Sequence, residues 1–460
     1  MPITASTDLR LVALAERIEG QLVLPGDAAW DEARRAWNLA VDQSPDAVVY
    51  PAGVADVIAL VRFANDRGLR IAVQGTGHGA AARASLRGAI LLNMSRLDGF
   101  EIDAEARTVR VEAGALWGPI ADAASELGLA PLAGSARDVG VVGYALGGGL
   151  GWLGRRYGLA ANSVKAIELV TAVGVHRRVD ADNEPELFWA LRGGGGNFGV
   201  VTAMELELFP LAEVYAGWLL WPVEEVQRVF ELYREWVETV PDEVTSVVRI
   251  LHLPPLDLIP QPLRGKSWAV VEVAYLGGEA EAAEILEPLR AAGPVMDTMA
   301  LMPPSGLGHL HADPPMPVPA AGHGGLLADV SSEAIGELVE VAGSRACTQL
   351  LSVELRHLGG ALGRPKRSHG ALAALDGAFA VFAVGFVHGP EQAEALEQDI
   401  QAVLDVFERF ATRSYLNFKE REGSAREAFT DDVYARLSEI KAAYDRDGLF
   451  QANHPVEAAS

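Results

Sequence analysis

Gln74-Gly75-Thr76-Gly77-His78-Gly79 sets one imidazole in a glycine-walled turn, directly after the short apolar run Ile71-Ala72-Val73. Glycine is used where backbone must approach a ligand closely or take φ > 0. Glycines at 75, 77 and 79 around one histidine therefore point to a group pressed against the main chain. Taken alone, the stretch fits equally a tight turn with a surface histidine, so its neighbours decide.

Upstream, residues 8–40 read as one or two polar-faced helices and a linker. Ala47-Val48-Val49-Tyr50 is a short strand ended by Pro51. Val54, Val57, Ile58, Val61 and Ala64 recur at helical spacing before Gly68, where a helix stops. With Ile71 to Val73 as the next strand, the opening is a βαβ-like unit that delivers its loop at 75–79. Ala89 to Leu92 and Thr108 to Ala113 are further strands, the second alternating Val109, Val111, Ala113 against Thr108, Arg110, Glu112. Ile120 to Leu127 reads as a helix ended by Gly128.

Two more glycine clusters follow, Gly140-Val141-Val142-Gly143-Tyr144-Ala145-Leu146-Gly147-Gly148-Gly149-Leu150-Gly151 and Gly193-Gly194-Gly195-Gly196-Asn197-Phe198-Gly199. Each contains a formal G-x-G-x-x-G match, at 149, 151, 154 and at 194, 196, 199. That fingerprint carries meaning between a strand and a helix. The second cluster follows no convincing strand, and the third runs into the alternating strand Val200 to Leu208, so an NAD(P)-binding Rossmann domain fits poorly. What the three clusters share is backbone amides with no side chain in the way, able to cradle phosphates or line the edge of a flat ring. Three separated patches suit a long dinucleotide cofactor with a pyrophosphate in its middle.

The totals narrow the partners. A chain of 460 residues exceeds one ordinary core and implies two or three domains. Its net charge of −24 argues against nucleic acid and against anionic membrane surfaces. The single cysteine, Cys347, excludes an intrachain disulfide and suits a reducing compartment. Neither a secretion signal nor an apolar run of about 18 residues is visible, which makes a soluble, cytoplasmic protein the expectation.

From Trp218 to about Gln401 the pattern is α+β, with strands such as Trp268 to Tyr275 and Ala378 to Val384 beside helices such as Glu281 to Ala292 and Ser331 to Val341. Met302 to Gly325 is rich in proline and glycine and holds His309, His311 and His323. With no further ligand at a matching spacing, it reads as a solvated loop forming a lid rather than a zinc site. Val353-Glu354-Leu355-Arg356-His357-Leu358 alternates, so one set faces the pocket and the other packs below. Glu354 and Arg356 are candidates for a polar pocket wall, against the alternative of solvated strand charges. Helix returns from Gln398 to Phe450, interrupted by Tyr415-Leu416-Asn417-Phe418.

With these stretches in view, the chain resembles the flavin-linked oxidases of the berberine bridge enzyme type, within the wider group having a vanillyl-alcohol-oxidase-like (PCMH-type) FAD-binding domain. The loop at 75–79, Leu146 to Gly151, and Leu187-Phe188-Trp189-Ala190-Leu191-Arg192 running through the glycines to Thr202 carry the likeness. So do Tyr415-x-Asn417, Lys441, Tyr444-Asp445, Phe450 and Asn453. The likeness covers nearly the whole chain, least clearly 1–40 and 280–345.

The resemblance implies an α+β, two-domain flavoprotein. The FAD-binding domain would take 1–210, with its PCMH-type core at about 43–211, and an antiparallel-sheet substrate domain would take 211–405. Residues 406–460 would return to the first domain. It also implies FAD bonded through His78 to the 8α-methyl of the flavin. Relatives with a second bond carry a cysteine where this chain has Ala136, so a single covalent link is expected. Gln74 stands where relatives often have arginine.

The cofactor-binding set carried over is Gln74, Gly75, Thr76, Gly77, His78, Gly79, Gly134, Ser135, Val139, Gly140, Gly143, Gly148, Gly149, Gly151, Val200, Val201 and Asn453, with no metal. Tyr415 is the candidate base, needing help to ionise since a free phenol titrates near pH ~10. Asn417 would share its side of an extended segment, to hold a flavin carbonyl or the substrate. Val139, where the family has a small branched residue, favours reaction with O2. The expected activity is oxidation of a small or medium molecule at an alcohol or amine carbon, giving hydrogen peroxide. The alternatives are an FAD dehydrogenase with another acceptor and a flavoprotein whose redox chemistry has lapsed, serving as a binding or non-redox cyclising protein.

Overall fold

The computed structural model describes residues 11–460 except 84, 258 and 347, so the reading of Cys347 and of the first ten positions lies outside the described residues. Strand Ala47–Tyr50, helix Val54–Arg67 and strand Arg70–Gln74 form the expected unit, and Gly68 caps the helix at φ 63°. The two strands are not neighbours. Ala89–Asn93 lies between them, parallel to both, and Gln21–Val23 pairs outside Ala47–Tyr50. Of the one or two helices and linker expected over 8–40, the described residues show helix at 11–15 and Trp30–Ala33, and the chain after the second straps the 75–79 turn from outside, Trp37 N donating to Thr76 O.

A second, antiparallel sheet runs Phe100–Asp103, Thr108–Glu112, Val200–Glu207, Val164–Val170, His176–Asp180. The third cluster therefore does feed a strand, as its alternation demands. The second cluster instead begins a six-residue helix, Val141–Leu146, after Gly140 pairs with Leu116.

The third sheet has eight strands. Along its main path lie Met296–Asp297, Val214–Pro222, Ser267–Tyr275, Val244–His252, Ser352–His357, Phe379–Phe386 and Ala320–Leu327, while Ala300–Met302 pairs beside Val214–Pro222. Strand alternation divides it cleanly. Val248, Ile250, Val271, Val353, Leu355 and Val381 share a core with helices Val226–Trp236, Glu279–Ala291, Ser332–Ala342 and Pro390–Phe407. Each such side chain stabilises by roughly 1.5–3 kcal/mol on burial. Val247, Ala274, Leu326 and Ala380, on the opposite face, join the core of the first two sheets. The eight-stranded sheet is thus sandwiched between its own helices and the glycine-rich half.

The last segment closes the first half. The chain at Leu449–Gln451 runs beside Ile71, which donates to Leu449 O at 2.8 Å and accepts from Gln451 N at 2.9 Å. Helix Asp431–Tyr444 ends in a buried pair, Lys441 Nζ to Asp445 Oδ2 at 2.5 Å, and Lys441 also donates to Asn197 O at 2.8 Å. Asn197 in turn donates to His454 O and accepts from Val456 N. A buried ion stays charged only when paired and hydrogen-bonded, and these two satisfy each other while tying the tail to the third glycine cluster. Among the described residues no helix is long and apolar enough to cross a membrane.

Candidate active site

The loop after Arg70–Gln74 turns at Gly77, where φ is 89° and an added Cβ would stand 2.9 Å from Ala36 Cα. This close approach brings Trp37 onto His78, ring on ring, with centroids 4.0 Å apart and planes 21° apart. On the imidazole's edge sits Asp138. Its carboxylate Oδ1 is 3.4 Å and its carbonyl 3.3 Å from His78 Nε2, and Oδ2 accepts from Trp37 Nε1 at 2.5 Å. Burial pushes the Asp138 carboxyl up, but His78 and then Trp37 outweigh it and hold it below its ordinary value. The result is an imidazole fixed in plane, with one nitrogen engaged.

Next to this turn lies a cleft with about 890 Å³ of empty space, the solvent at its open side included. Its walls include Gly75, Val142, Gly143, Gly147, Gly195 and Gly196, drawn from all three glycine clusters, with Asn417 and Asn453 from the tail. Added Cβ atoms at Gly143 and Gly196 would meet nothing within 4 Å, so their main chain is bare toward the space. Asn453 Nδ2 donates to Gly79 O at 2.9 Å, which joins the tail to the histidine turn.

Arg83 lines the same cleft and is 8% exposed. It donates to the carbonyls of Gln451 and Val73, its Nε has no hydrogen-bond partner, and it has no carboxylate partner among the described residues. Burial alone brings its guanidinium down to about 10. A buried cation facing a cleft without a counter-charge suits a ligand that brings its own anion, such as a pyrophosphate. Bare amides from three glycine clusters and a buried arginine without a counter-charge together fit FAD. Sequence reasoning missed Arg83, although a lone base five residues beyond His78 was visible.

Of the residues carried over from the resemblance, Gly75, Gly143, Val201, Asn417 and Asn453 line this cleft. Thr76, Gly77, His78, Gly79 and Gly140 form the adjoining turn and its neighbour, the Thr76 side chain lying 3.6 Å from a Cβ at Gly140. Val139 accepts there from Trp117 N. The others are placed by packing. Gln74 is buried and turns its amide toward Arg35 O. Val200 pairs with Val170 inside the second sheet. Cβ atoms at Gly148, Gly149 and Gly151 would run into Leu372, the Tyr144 ring and Ala133 O, so glycine is required there by protein contacts. Gly134 lies against Tyr144, and Ser135 donates to Asp313 Oδ2 at 2.8 Å across to the other half. Gly134 also borders a smaller cavity of about 410 Å³ between Trp117, Arg137, Trp152 and Ser305. That cavity lacks the bare glycine amides and suits the cofactor less.

Tyr415 and Asn417 meet, though not as the expected extended pair. Phe418 N and Lys419 N both donate to Tyr415 O, so the segment is a turn, and Asn417 Nδ2 reaches Tyr415 Oη at 3.3 Å and Tyr144 O at 3.0 Å. Tyr415 is only 1% exposed. Burial raises its phenol, and the backbone of Leu150 and Gly149, with Asn417, pulls it back only in part.

The polar face of the third sheet reaches Tyr415 through Phe418, whose ring lies 5.2 Å from the Arg356 guanidinium and 5.1 Å from the Tyr415 ring. Arg249 Nη2 is 2.6 Å from Glu272 Oε1, Glu272 Oε2 is 2.6 Å from His311 Nδ1, His311 Nε2 is 2.9 Å from Glu354 Oε2, and Arg356 Nε donates to Glu354 Oε1 at 2.6 Å. Burial lowers His311, but Glu272 and the other carboxylates win and bring it up to about 9. Burial raises Glu354, but Arg356 and then His311 hold it well below the usual carboxylate range. The expectation of a solvated loop at 302–325 is corrected here. His311 is buried because two carboxylates on the sheet draw it in, and His323 lies in strand Ala320–Leu327. No group of three or more His, Cys, Asp or Glu is gathered as for a metal among the described residues.

The chain matches an FAD binding domain over residues 45–180 and a "Berberine and berberine like" domain over 414–457. It is 27% identical to (R)-6-hydroxynicotine oxidase of Paenarthrobacter nicotinovorans over 96% of this chain and 97% of that one. Among solved structures it is similar to 6-hydroxy-D-nicotine oxidase from Arthrobacter nicotinovorans, at a TM-score of 0.82 and 26% identity, covering 96% and 98% of the two chains. Its fold is also that of BBE-like 1 from Physcomitrella patens, at a TM-score of 0.85 and 22% identity over 98% and 99%.

Proposed function

The chain belongs to the berberine bridge enzyme-like family of FAD-linked oxidoreductases, and from that premise we propose that it is an oxidase, holding FAD by one covalent bond to His78 and oxidising an alcohol or amine carbon of a small or medium organic molecule. Bound in the cleft, FAD would supply a two-electron acceptor for the hydride of the substrate C–H, with O2 as the final oxidant, taken to hydrogen peroxide by the two electrons and two protons the substrate gives up. The single observation that carries the reading is the His78 ring, held by Trp37 and Asp138 three residues beyond Gly75 of a glycine-lined cleft. With Ala136 in place of a second nucleophile, one attachment is available.

Tyr415 is the base in this reading, taking the substrate hydroxyl proton, and its phenol oxygen accepts from Asn417 Nδ2 at 3.3 Å. A phenol raised by burial needs a neighbouring cation or the field of the bound oxidised flavin to stabilise the phenolate, so proton loss is coupled to binding. The purified protein should be yellow, and acid denaturation should leave the colour on the polypeptide with a mass increase of one FAD. A panel of alcohols, amines and sugars should bleach it anaerobically. Recolouring in air with peroxide release supports the oxidase; bleaching without it makes the protein a dehydrogenase, and no bleaching by any compound points to lapsed redox chemistry.

A further inference from the structure

The row Arg249–Glu272–His311–Glu354–Arg356 alternates in sign across three strands and one loop; its Arg249 end folds back on His311, donating to the His311 carbonyl at 3.0 Å, whereas its Arg356 end stays open. At one end Arg249 is sealed, its side chain 5% exposed. At the other, Arg356 keeps 14% exposure above a Glu354 side chain at 3%. Glu354 occupies its Nε, and no hydrogen bond to its two terminal nitrogens is found among the described residues. The guanidinium lies 5.2 Å from the Phe418 ring, which itself stands edge-on to Tyr415 at 5.1 Å. Its charge acts on both Tyr415 and Tyr144. The open end of the ion row therefore emerges beside the candidate base, within an aromatic surround.

An arginine held through Nε by a carboxylate presents its remaining edge as a flat, two-pronged donor, the geometry that matches a carboxylate or another delocalised oxyanion. The groups packed around it leave little room for a cationic ligand. His311 is protonated, and Glu272, Glu354 and Asp313 are the facing acids. Two of these are consumed within the row, and Asp313 accepts from Ser135 Oγ while its other oxygen stands 4.0 Å from His311 Nε2.

We propose that Arg356 is the specificity-determining anchor of the substrate pocket, binding a carboxylate or comparable oxyanion on the substrate, so that the oxidised molecule is a hydroxylated organic acid rather than a protonated amine. The assignment rests on the oxidase reading only for what the anchored molecule undergoes; the anchoring itself stands on the open guanidinium edge.

Its test uses benzoate and benzylammonium as probes of similar size and opposite charge, titrated anaerobically into the purified full-length protein. The shift in flavin absorbance and the heat of binding are both read. Benzoate should bind at least about tenfold more tightly. Arg356→Gln should remove that preference and Arg356→Lys should keep part of it, since the charge remains but the flat donor edge does not. Equal affinities, tighter benzylammonium binding, or unchanged benzoate affinity in Arg356→Gln would overturn the assignment. Should Arg356→Gln fail to fold, the wild-type comparison decides alone. A protein that prefers benzoate yet oxidises nothing refutes the oxidase reading and leaves the anchor standing.

Discussion

Asp138 holds His78 from sixty residues away, with carbonyl and carboxylate both converging on Nε2, at 3.3 and 3.4 Å, while Nδ1 has no described partner. An imidazole whose Nε2–H is spoken for carries its lone pair on Nδ1. The expected attachment atom is therefore Nδ1. His78→Ala should abolish the acid-stable colour, and Asp138→Asn should slow its appearance while leaving the linkage on the same residue. Mass spectrometry of the flavin-bearing peptide, with the histidyl isomer identified, checks both; a bond at Nε2 would refute the orienting role of Asp138.

Arg83 is expected to act on cofactor binding rather than on turnover. In a His78→Ala background, where FAD is held reversibly, Arg83→Ala should weaken FAD binding by roughly tenfold or more, the scale of one charge-assisted hydrogen bond. Flavin fluorescence titration measures it. The unliganded Arg83→Ala protein should not be less stable than its parent, because a buried unpaired cation has been removed.

Tyr415→Phe removes one hydroxyl from a packed site. As a general base it should account for a fall in kcat of about 10²–10⁴ with full flavin content. The sign of the pH dependence follows from its raised phenol: the rate should climb as pH increases toward the ionisation of the bound complex, and that climb should vanish in Tyr415→Phe. Stopped-flow reduction across pH separates this from a packing defect, which would lower the rate equally at every pH.

The ion row makes a stability prediction with the opposite trend. His311 has a folded pKa of about 9 against an ordinary 6.5, so the folded state binds its proton more tightly. The stabilisation is complete below about pH 6.5 and is lost as pH rises through about 9. Thermal midpoints recorded from pH 6 to pH 10 should decline over that window, and the decline should flatten in His311→Gln. That variant also leaves Glu272 and Glu354 facing without a cation between them, so its midpoint should be lower throughout.

The strands and helices were legible wherever one period dominates. Val54 to Ala64 and the alternation at 353–358 gave their elements because the spacing of apolar side chains is set by the backbone repeat itself. The histidine turn was legible too, since glycines at 75, 77 and 79 have few other uses. Glycine is ambiguous beyond that. Gly143 and Gly196 are bare toward the cleft, whereas Gly148, Gly149 and Gly151 are pressed against Leu372, Tyr144 and Ala133. The sequence contains no mark that separates these two causes of the same residue.

What the chain determined on its own is therefore the local order of elements and the residue types a dinucleotide-binding flavoprotein needs. Tertiary structure alone decided which of them meet. Asp138 reached His78, Arg83 was left without a counter-ion, and His311 was drawn from a proline-rich loop into a buried row of charge. Each of these is an electrostatic outcome between residues far apart in the chain, and it depends on burial and on distances of a few ångströms that no one-dimensional spacing records.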